Sequence, residues 1–257
     1  MWNQSAVHEA TRYFWPETAI IQDSITMANH AYLRVWTRDF SLEKMIPEFA
    51  RFLATAPLSP SHDAFDELIV QAVDPGETPI AEWDLRPSQA GAAEVAAMAA
   101  QHLNPDTAYI ASATWDLWVF HMDTLKWQRM PQPLELTCHG PDYDDRIAAS
   151  VGHFQADLGF EHLFTGHAGL LTANAAASSS AFGSHRSSEH PIEHTFRQWM
   201  AAGNNLKEYH AKTRENIQLL FNWVDAIERA LPVERTELWS EGEENMEARL
   251  DEILAQR

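Results

Sequence analysis

The fold is decided by the stretch YIASATWDLWVF, residues 109–120, in which successive side chains fall on alternate faces of an extended chain. This period of two predicts a long β-strand. Trp115 and Trp118 are three residues apart and therefore lie on opposite faces of that strand. A second packed layer, or a partner, must cover one of the two indoles.

The neighbouring segments indicate an α+β fold. Strand patterns occupy 31–38, 68–73 and 79–85, and helical spacing follows Ser41 and Ser88. The order strand, helix, strand, strand, helix, strand is that of the ferredoxin-like βαββαβ unit. We therefore predict a mainly antiparallel sheet with helices on one face, extended by further hairpin strands in which Pro131 and Pro133 indicate an edge.

The chain changes character after residue 171, where a run of small and polar residues begins. We predict a core domain over 1–171, a linker or mobile loop over 172–190, and a helical C-terminal segment over 191–257. That segment carries helical patterns at 191–202, 205–231 and 243–255, and an apolar stripe on the longest predicts packing against the core or a partner.

Composition limits the function classes. The chain has 37 acidic and 18 basic residues, and its net charge of −19 is unfavourable for binding nucleic acid or anionic membranes and favourable for binding basic proteins. No apolar run is long enough for a membrane span, and no signal peptide is visible. Cys138 is the single cysteine, so the sequence predicts a reducing, cytoplasmic location.

The stretch 138–167 concentrates histidine and carboxylate side chains, which are ligands of divalent transition metals. The candidate metal ligands are His153, Glu161, His162 and His167. They support one hypothesis, a metal-dependent hydrolase in which the metal activates water. Cys138 stands beside His139, but neighbours on a strand face opposite ways, which disfavours a thiol–imidazole pair.

The leading hypothesis is a different one: an acidic protein that binds a basic partner protein, as an immunity protein, inhibitor or adaptor does. The likeness to immunity proteins is one of size and charge. The candidate partner-binding residues are Trp118, Asp142, Asp144 and Asp145, because aromatic side chains anchor interfaces and charge complementarity speeds association. A third hypothesis is a homodimer that forms through the C-terminal helices.

Overall fold

The computed structural model describes residues 29–166 and 191–255. Its strands are β1 (His30–Thr37), β2 (Glu67–Ala72), β3 (Ala81–Asp84), β4 (Thr107–His121), β5 (Lys126–His139), β6 (Phe154–Phe160) and β7 (Val233–Ser240). Its helices are α1 (Leu42–Ala54), α2 (Ala92–Ala99), α3 (Tyr143–Arg146), α4 (Ala148–Val151), α5 (His162–Thr165), α6 (Pro191–Met200), α7 (Gly203–Ala230) and α8 (Met246–Ala255). None of the described helices is long and apolar enough to cross a membrane.

All seven strands join one antiparallel sheet in the order β3-β2-β4-β5-β6-β1-β7. The predicted α+β class and the predicted antiparallel sheet are confirmed. The chain order β1-α1-β2-β3-α2-β4 is also as predicted, but the ferredoxin-like topology does not form. In that topology β1 would pair inside the six-element unit, whereas here it pairs with β6 and β7.

The main core lies between one face of the sheet and the helices α1, α2, α8 and the second half of α7. Fully buried side chains from both layers meet there, including Phe49 and Phe52 from α1, Trp115 from β4 and Trp223 from α7. The rings of Trp115 and Trp223 are 5.9 Å apart in an edge-to-face arrangement. Burial of this aromatic and aliphatic surface is the main source of stability.

Strands β4 and β5 form a hairpin arm that extends beyond its neighbours. β6 pairs only with residues 135–138 of β5, so no strand of the described residues lies beside the edge of β5 from residue 134 back to the hairpin turn. Pro131 and Pro133 lie on this edge, opposite Asp116 and Thr114 of β4. Because proline has no N–H, both remove outward donors that a foreign strand would use. The edge predicted from these prolines is confirmed.

Helix α7 covers the other edge of the arm through Asn216, which is 2% exposed. Its side-chain oxygen accepts from Trp118 N (2.8 Å), and its amide nitrogen donates to Trp118 O and Leu163 O (2.9 Å each). The Asn216 side chain thus makes the two backbone hydrogen bonds to Trp118 that a neighbouring strand would otherwise make. The same helix contacts Trp115 on one face of β4 and Trp118 on the other, so the C-terminal segment covers both indoles.

The C-terminal segment contributes a strand as well as helices. Three helices occur close to the predicted positions, at Pro191–Met200, Gly203–Ala230 and Met246–Ala255. Between the last two, β7 pairs with β1 along the edge of the sheet. The predicted linker over 172–190 lies outside the described residues.

Candidate functional site

The sheet face opposite the main core carries rows of polar side chains that are neighbours across the strands. One row crosses all seven strands through Asp84, Glu67, Ser112, Glu135, Asp157, Tyr32 and Trp239. The next row places Glu82 at one end of the sheet and Arg34 and Glu237 at the other. We call the six carboxylates on these rows the acidic face: Glu67, Glu82, Asp84, Glu135, Asp157 and Glu237.

Helices cover this sheet face at two places among the described residues: α6 and α7 pack on Phe120 and Trp118 of the hairpin arm, and α4 lies at the corner beside β1. There Trp36 Nε1 donates to Ala148 O at 3.0 Å, which fixes the short helix α4 against β1. The members of the acidic face remain exposed or half-buried. Six strand spacings separate the ends of the long row, a width of about 29 Å.

Three carboxylates of the acidic face have intramolecular partners. Asp84 accepts from Arg86 Nε at 2.8 Å, and Asp157 accepts from His30 Nδ1 at 2.9 Å. The Glu237 carboxylate lies 3.9 Å from Arg34 Nη1, a weak ion pair. A further cation on this sheet face, Arg235, lies opposite Trp36 and over its ring rather than on a carboxylate of the acidic face.

The other three carboxylates, Glu67, Glu82 and Glu135, make neither a hydrogen bond nor an ion pair with any described residue. Desolvation by neighbouring side chains raises the pKa of Glu135, and the charges of Asp157 and Glu67 raise it further, although the side chain still reaches solvent. Desolvation followed by the charge of Glu82 raises the pKa of Glu67. Like charges on neighbouring strands repel, so this arrangement costs stability at neutral pH.

Aromatic side chains border the acidic face at the β1–β7 end. The rings of Tyr32 and Trp239 are 5.4 Å apart, and Trp239 is 36% exposed. The guanidinium of Arg34 lies 4.5 Å from the Trp239 ring centre, and the Tyr32 hydroxyl donates to Glu241 Oε1 at 3.4 Å. Burial, followed by the charges of Asp157 and Glu241, raises the pKa of Tyr32 to about 12.

The predicted metal ligands are not brought together. His153 and Glu161 flank β6 at opposite ends, and the seven residues of extended chain between them place the two about 26 Å apart. His153 Nδ1 accepts from Thr37 N at 3.0 Å, while the Glu161 carboxylate accepts from the Ser240 hydroxyl and from Gly242 N. Each therefore has a structural role of its own.

The remaining two predicted ligands do not restore the site. His162 begins α5 and stacks on Phe160 at 5.7 Å, and His167 lies outside the described residues. Within 29–166 and 191–255, no group of three or more His, Cys, Asp or Glu could hold a metal ion. As a set of four, the predicted ligands cannot share one ion, because β6 separates two of them.

Trp118, predicted to bind a partner, contacts α7 instead. Lys212 Nζ lies 3.7 Å from its ring centre, and its indole N–H donates to Glu215 at 2.6 Å. The helix is thereby attached to the hairpin arm. This indole is half-buried by the protein's own residues, so its aromatic face is not the free anchor that the sequence suggested.

The three aspartates predicted to bind a partner lie on the loop after β5. Asp142 and Asp145 are exposed and Asp144 is half-buried, and Asp142 pairs with Arg146 at 3.3 Å. Asp144 and Asp145 have left-handed backbones, with φ of 46° and 52°. Asp144 N donates to Val73 O at 2.8 Å, so this loop is held against the β2–β3 turn. Its role in partner binding stays a prediction.

Cys138 points into the main core, and burial raises the pKa of its thiol well above the usual value. It is a small buried apolar side chain rather than a nucleophile. Sequence reasoning missed Tyr32, Glu135 and Trp239 as neighbours. The alternation at 31–38 did place Tyr32 and Arg34 on one face, but strand register alone brings Glu135 and Trp239 beside them.

No family model matches the chain, no curated protein matches its sequence, and no solved structure matches its fold.

Proposed function

We propose that this protein binds a basic partner protein through the acidic face, and that it acts as an inhibitor, immunity protein or adaptor does. The observation that carries the proposal is three carboxylates on one sheet face, Glu67, Glu82 and Glu135, that have no hydrogen bond or ion pair with any described residue; Glu67 and Glu82 are on the adjacent strands β2 and β3, and Glu135 is on β5, one strand beyond β4. Their mutual repulsion lowers stability, and a partner's lysine and arginine side chains would remove that cost.

Charge favours a protein partner over nucleic acid or an anionic membrane. Phosphate groups would meet the same carboxylates that repel one another. Three cations on or beside the face already have contacts of their own: Arg34 with Glu237, Arg86 with Asp84, and Arg235 with the Trp36 ring. A basic protein surface is complementary to such a face, and complementary charge accelerates association and excludes acidic competitors.

Shape supports the same conclusion. The face spans about 29 Å across the strands, a width suited to the roughly 800 Å² that each partner buries in a stable interface. Trp239 and Tyr32 at its border are the residue types that supply affinity at interface centres. Carboxylates would therefore set the association rate, and the aromatic border would slow dissociation.

The test compares two variants that change the net charge equally. Glu67→Gln with Glu135→Gln neutralises the acidic face, whereas Glu228→Gln with Asp251→Asn neutralises exposed carboxylates on α7 and α8. Each protein would be immobilised and used to capture partners from native lysate at moderate salt. We expect a stoichiometric basic protein to bind the unaltered chain and the second variant, and to be lost from the first.

Binding kinetics of that captured partner complete the test. The acidic-face variant should associate more slowly and show a smaller salt dependence than the control variant. Equal losses in both variants would reduce the interaction to net charge and reject the acidic face as the site. Capture of no stoichiometric partner by the unaltered chain would reject the function itself.

A further inference from the structure

The β1–β7 end of the acidic face differs from the rest because aromatic rings and carboxylates meet there. Tyr32 lies directly opposite Asp157 on one neighbouring strand and Trp239 on the other, and Asp157 lies opposite Glu135. Glu241 follows β7 and accepts from the Tyr32 hydroxyl and from His30 N. Three carboxylates thus surround one phenol, beside an exposed indole.

The charges of this corner are unequally satisfied. Asp157 accepts from His30 Nδ1 and, at 2.8 Å, from Gly159 N. Glu241 accepts from His30 N at 2.9 Å and, weakly, from Tyr32. Glu135 has no described partner and points to the same sheet face, so it is the acceptor left for an incoming cation.

Cations already pair with tryptophan rings in this protein. Arg34 lies over Trp239, Arg235 lies 3.6 Å from the Trp36 ring centre, and Lys212 lies over Trp118. Two of these three are guanidinium groups, which are planar and stack on rings while donating in their own plane. The ring of Tyr32 and the carboxylate of Glu135 offer those two contacts on one sheet face.

We propose that this corner, formed by Tyr32, Glu135, Trp239 and Glu241, receives one arginine side chain of the partner protein. The inference rests on the proposed function and names the chemistry of its anchor. The guanidinium stacks against the Tyr32–Trp239 pair and donates to Glu135. Arginine fits better than lysine because its planar group makes both contacts at once, whereas an ammonium is a point charge.

A second copy of the chain is a poorer occupant. Facing two acidic faces would bring like charges together, and the arginine of that corner, Arg34, already lies over its own Trp239. A basic partner brings no second acidic face, and its arginine can stack on Tyr32 while Arg34 stays over Trp239. Charge complementarity therefore selects the partner protein as the source.

The experiment titrates the full chain with the peptide acetyl-Gly-Arg-Gly-amide and follows backbone amide and tryptophan indole signals by NMR. The matched control peptide carries citrulline, which has the shape of arginine without its charge. We expect the arginine peptide to shift the signals of Tyr32, Glu135 and Trp239, and the citrulline peptide to leave them unchanged.

Variants then assign the contacts. Glu135→Gln should weaken the arginine peptide by about two- to fivefold, the loss expected for one exposed ion pair. Tyr32→Leu should weaken it by a similar factor of about two to five through loss of the ring, and Tyr32→Phe should restore binding. Glu228→Gln, remote from the sheet, should leave the affinity unchanged.

Several outcomes would overturn the assignment. Equal shifts with the citrulline peptide would show that charge is irrelevant, and shifts centred on Glu67 and Glu82 would move the anchor to the other end of the row. Tighter binding of spermine at the same residues would assign the corner to a small polyamine. A dimeric molar mass in light scattering, together with burial of the Trp239 indole in that dimer, would assign the corner to a second copy of the chain. The first two results would leave partner binding through the acidic face standing.

Discussion

Glu161 and His153 each connect segments that are far apart in the sequence. The Glu161 carboxylate accepts from Ser240 and Gly242 after β7, while its own N–H donates to Asn29 O at 2.9 Å before β1. His153 accepts from Thr37 N and stacks on Phe40 with ring centres 4.1 Å apart. Both residue types suggested a metal in the sequence, and both have structural hydrogen-bonding roles instead.

Replacing Gly242 by alanine should destabilise the protein. A Cβ at this position would lie 2.6 Å from Glu161 Oε2 and would also clash with the Asn29 side chain. We expect a loss of about 1–3 kcal/mol in the free energy of unfolding, measured with urea. Gly203→Ala is the matched control because nothing lies within 4 Å of its Cβ, and it should be neutral or stabilising. Equal effects at both sites would contradict this packing around Glu161.

The stability of the protein should fall in mild acid because of His153. Burial, with a contribution from His139, lowers the pKa of His153 from 6.5 to about 4. As the pH falls, His153 takes up a proton in the unfolded chain before it does so in the folded protein. The stabilisation that neutral His153 provides is therefore complete above pH 6.5 and is lost as the pH falls towards 4. After allowance for solvent contact of the ring, the loss is about 2 kcal/mol.

His153→Asn provides the measurement, because the amide oxygen of asparagine can accept from Thr37 N without titrating. Thermal unfolding from pH 7.5 to 4 should show a shallower decline for this variant than for the unaltered protein. Parallel pH profiles would exclude His153 as the group responsible.

At the scale of elements, the sheet protects each edge by a different means. β3 is only four residues long, β5 carries Pro131 and Pro133, and Glu247 of α8 accepts from Leu238 N on the outer edge of β7. These devices blunt strand addition by other chains. They leave the face of the sheet, rather than its edges, as the surface for a partner.

Asn216 should be essential for the attachment of α7 to the hairpin arm. Asn216→Ala removes three hydrogen bonds and leaves buried backbone groups of Trp118 and Leu163 without partners. We expect a loss of about 2–4 kcal/mol in the free energy of unfolding. Asn222→Ala, exposed on the same helix, should change it by less than about 0.5 kcal/mol. Equal urea midpoints for the two variants would contradict this role.

For the molecule as a whole, repulsion among the carboxylates of the acidic face lowers the free energy of unfolding, and the same carboxylates are the proposed binding site. Neutralising Glu67 and Glu135 together by Gln should raise the free energy of unfolding at pH 7.5 by about 0.5–1 kcal/mol, because like charges on neighbouring strands are removed. The same change should abolish partner capture. Urea unfolding beside the Glu228→Gln, Asp251→Asn control, which has the same net charge, measures the difference.

The gain should depend on pH with a definite sign. The pKa values of Glu67 and Glu135 are raised in the folded protein, so the repulsion is complete at neutral pH and disappears as both carboxylates protonate. The advantage of the double variant should therefore vanish near pH 4. An advantage that persists there would mean that packing, not charge, stabilises the variant.

The amino-acid pattern predicts the secondary structure wherever one face of an element is buried. The alternation at 109–120 and the stripe of α7 report such burial directly, and the acidic composition predicts a basic partner. The sequence predicts no strand at the position of β7, because only Leu238 and Ser240 are buried in it and the alternation is short. Backbone hydrogen bonds to β1 make this segment a strand, and such bonds leave no pattern in the side chains from which a strand could be predicted.

The pairing and register of the strands in the folded protein decide which side chains become neighbours. Register places Tyr32 between Asp157 and Trp239, although Tyr32 is more than a hundred positions from each of them in the sequence. It also separates His153 from Glu161, which the local sequence had grouped together. An extended strand moves near residues apart by about 3.3 Å each, while pairing brings distant strands to within about 4.8 Å. Proximity in the sequence therefore could not identify the site.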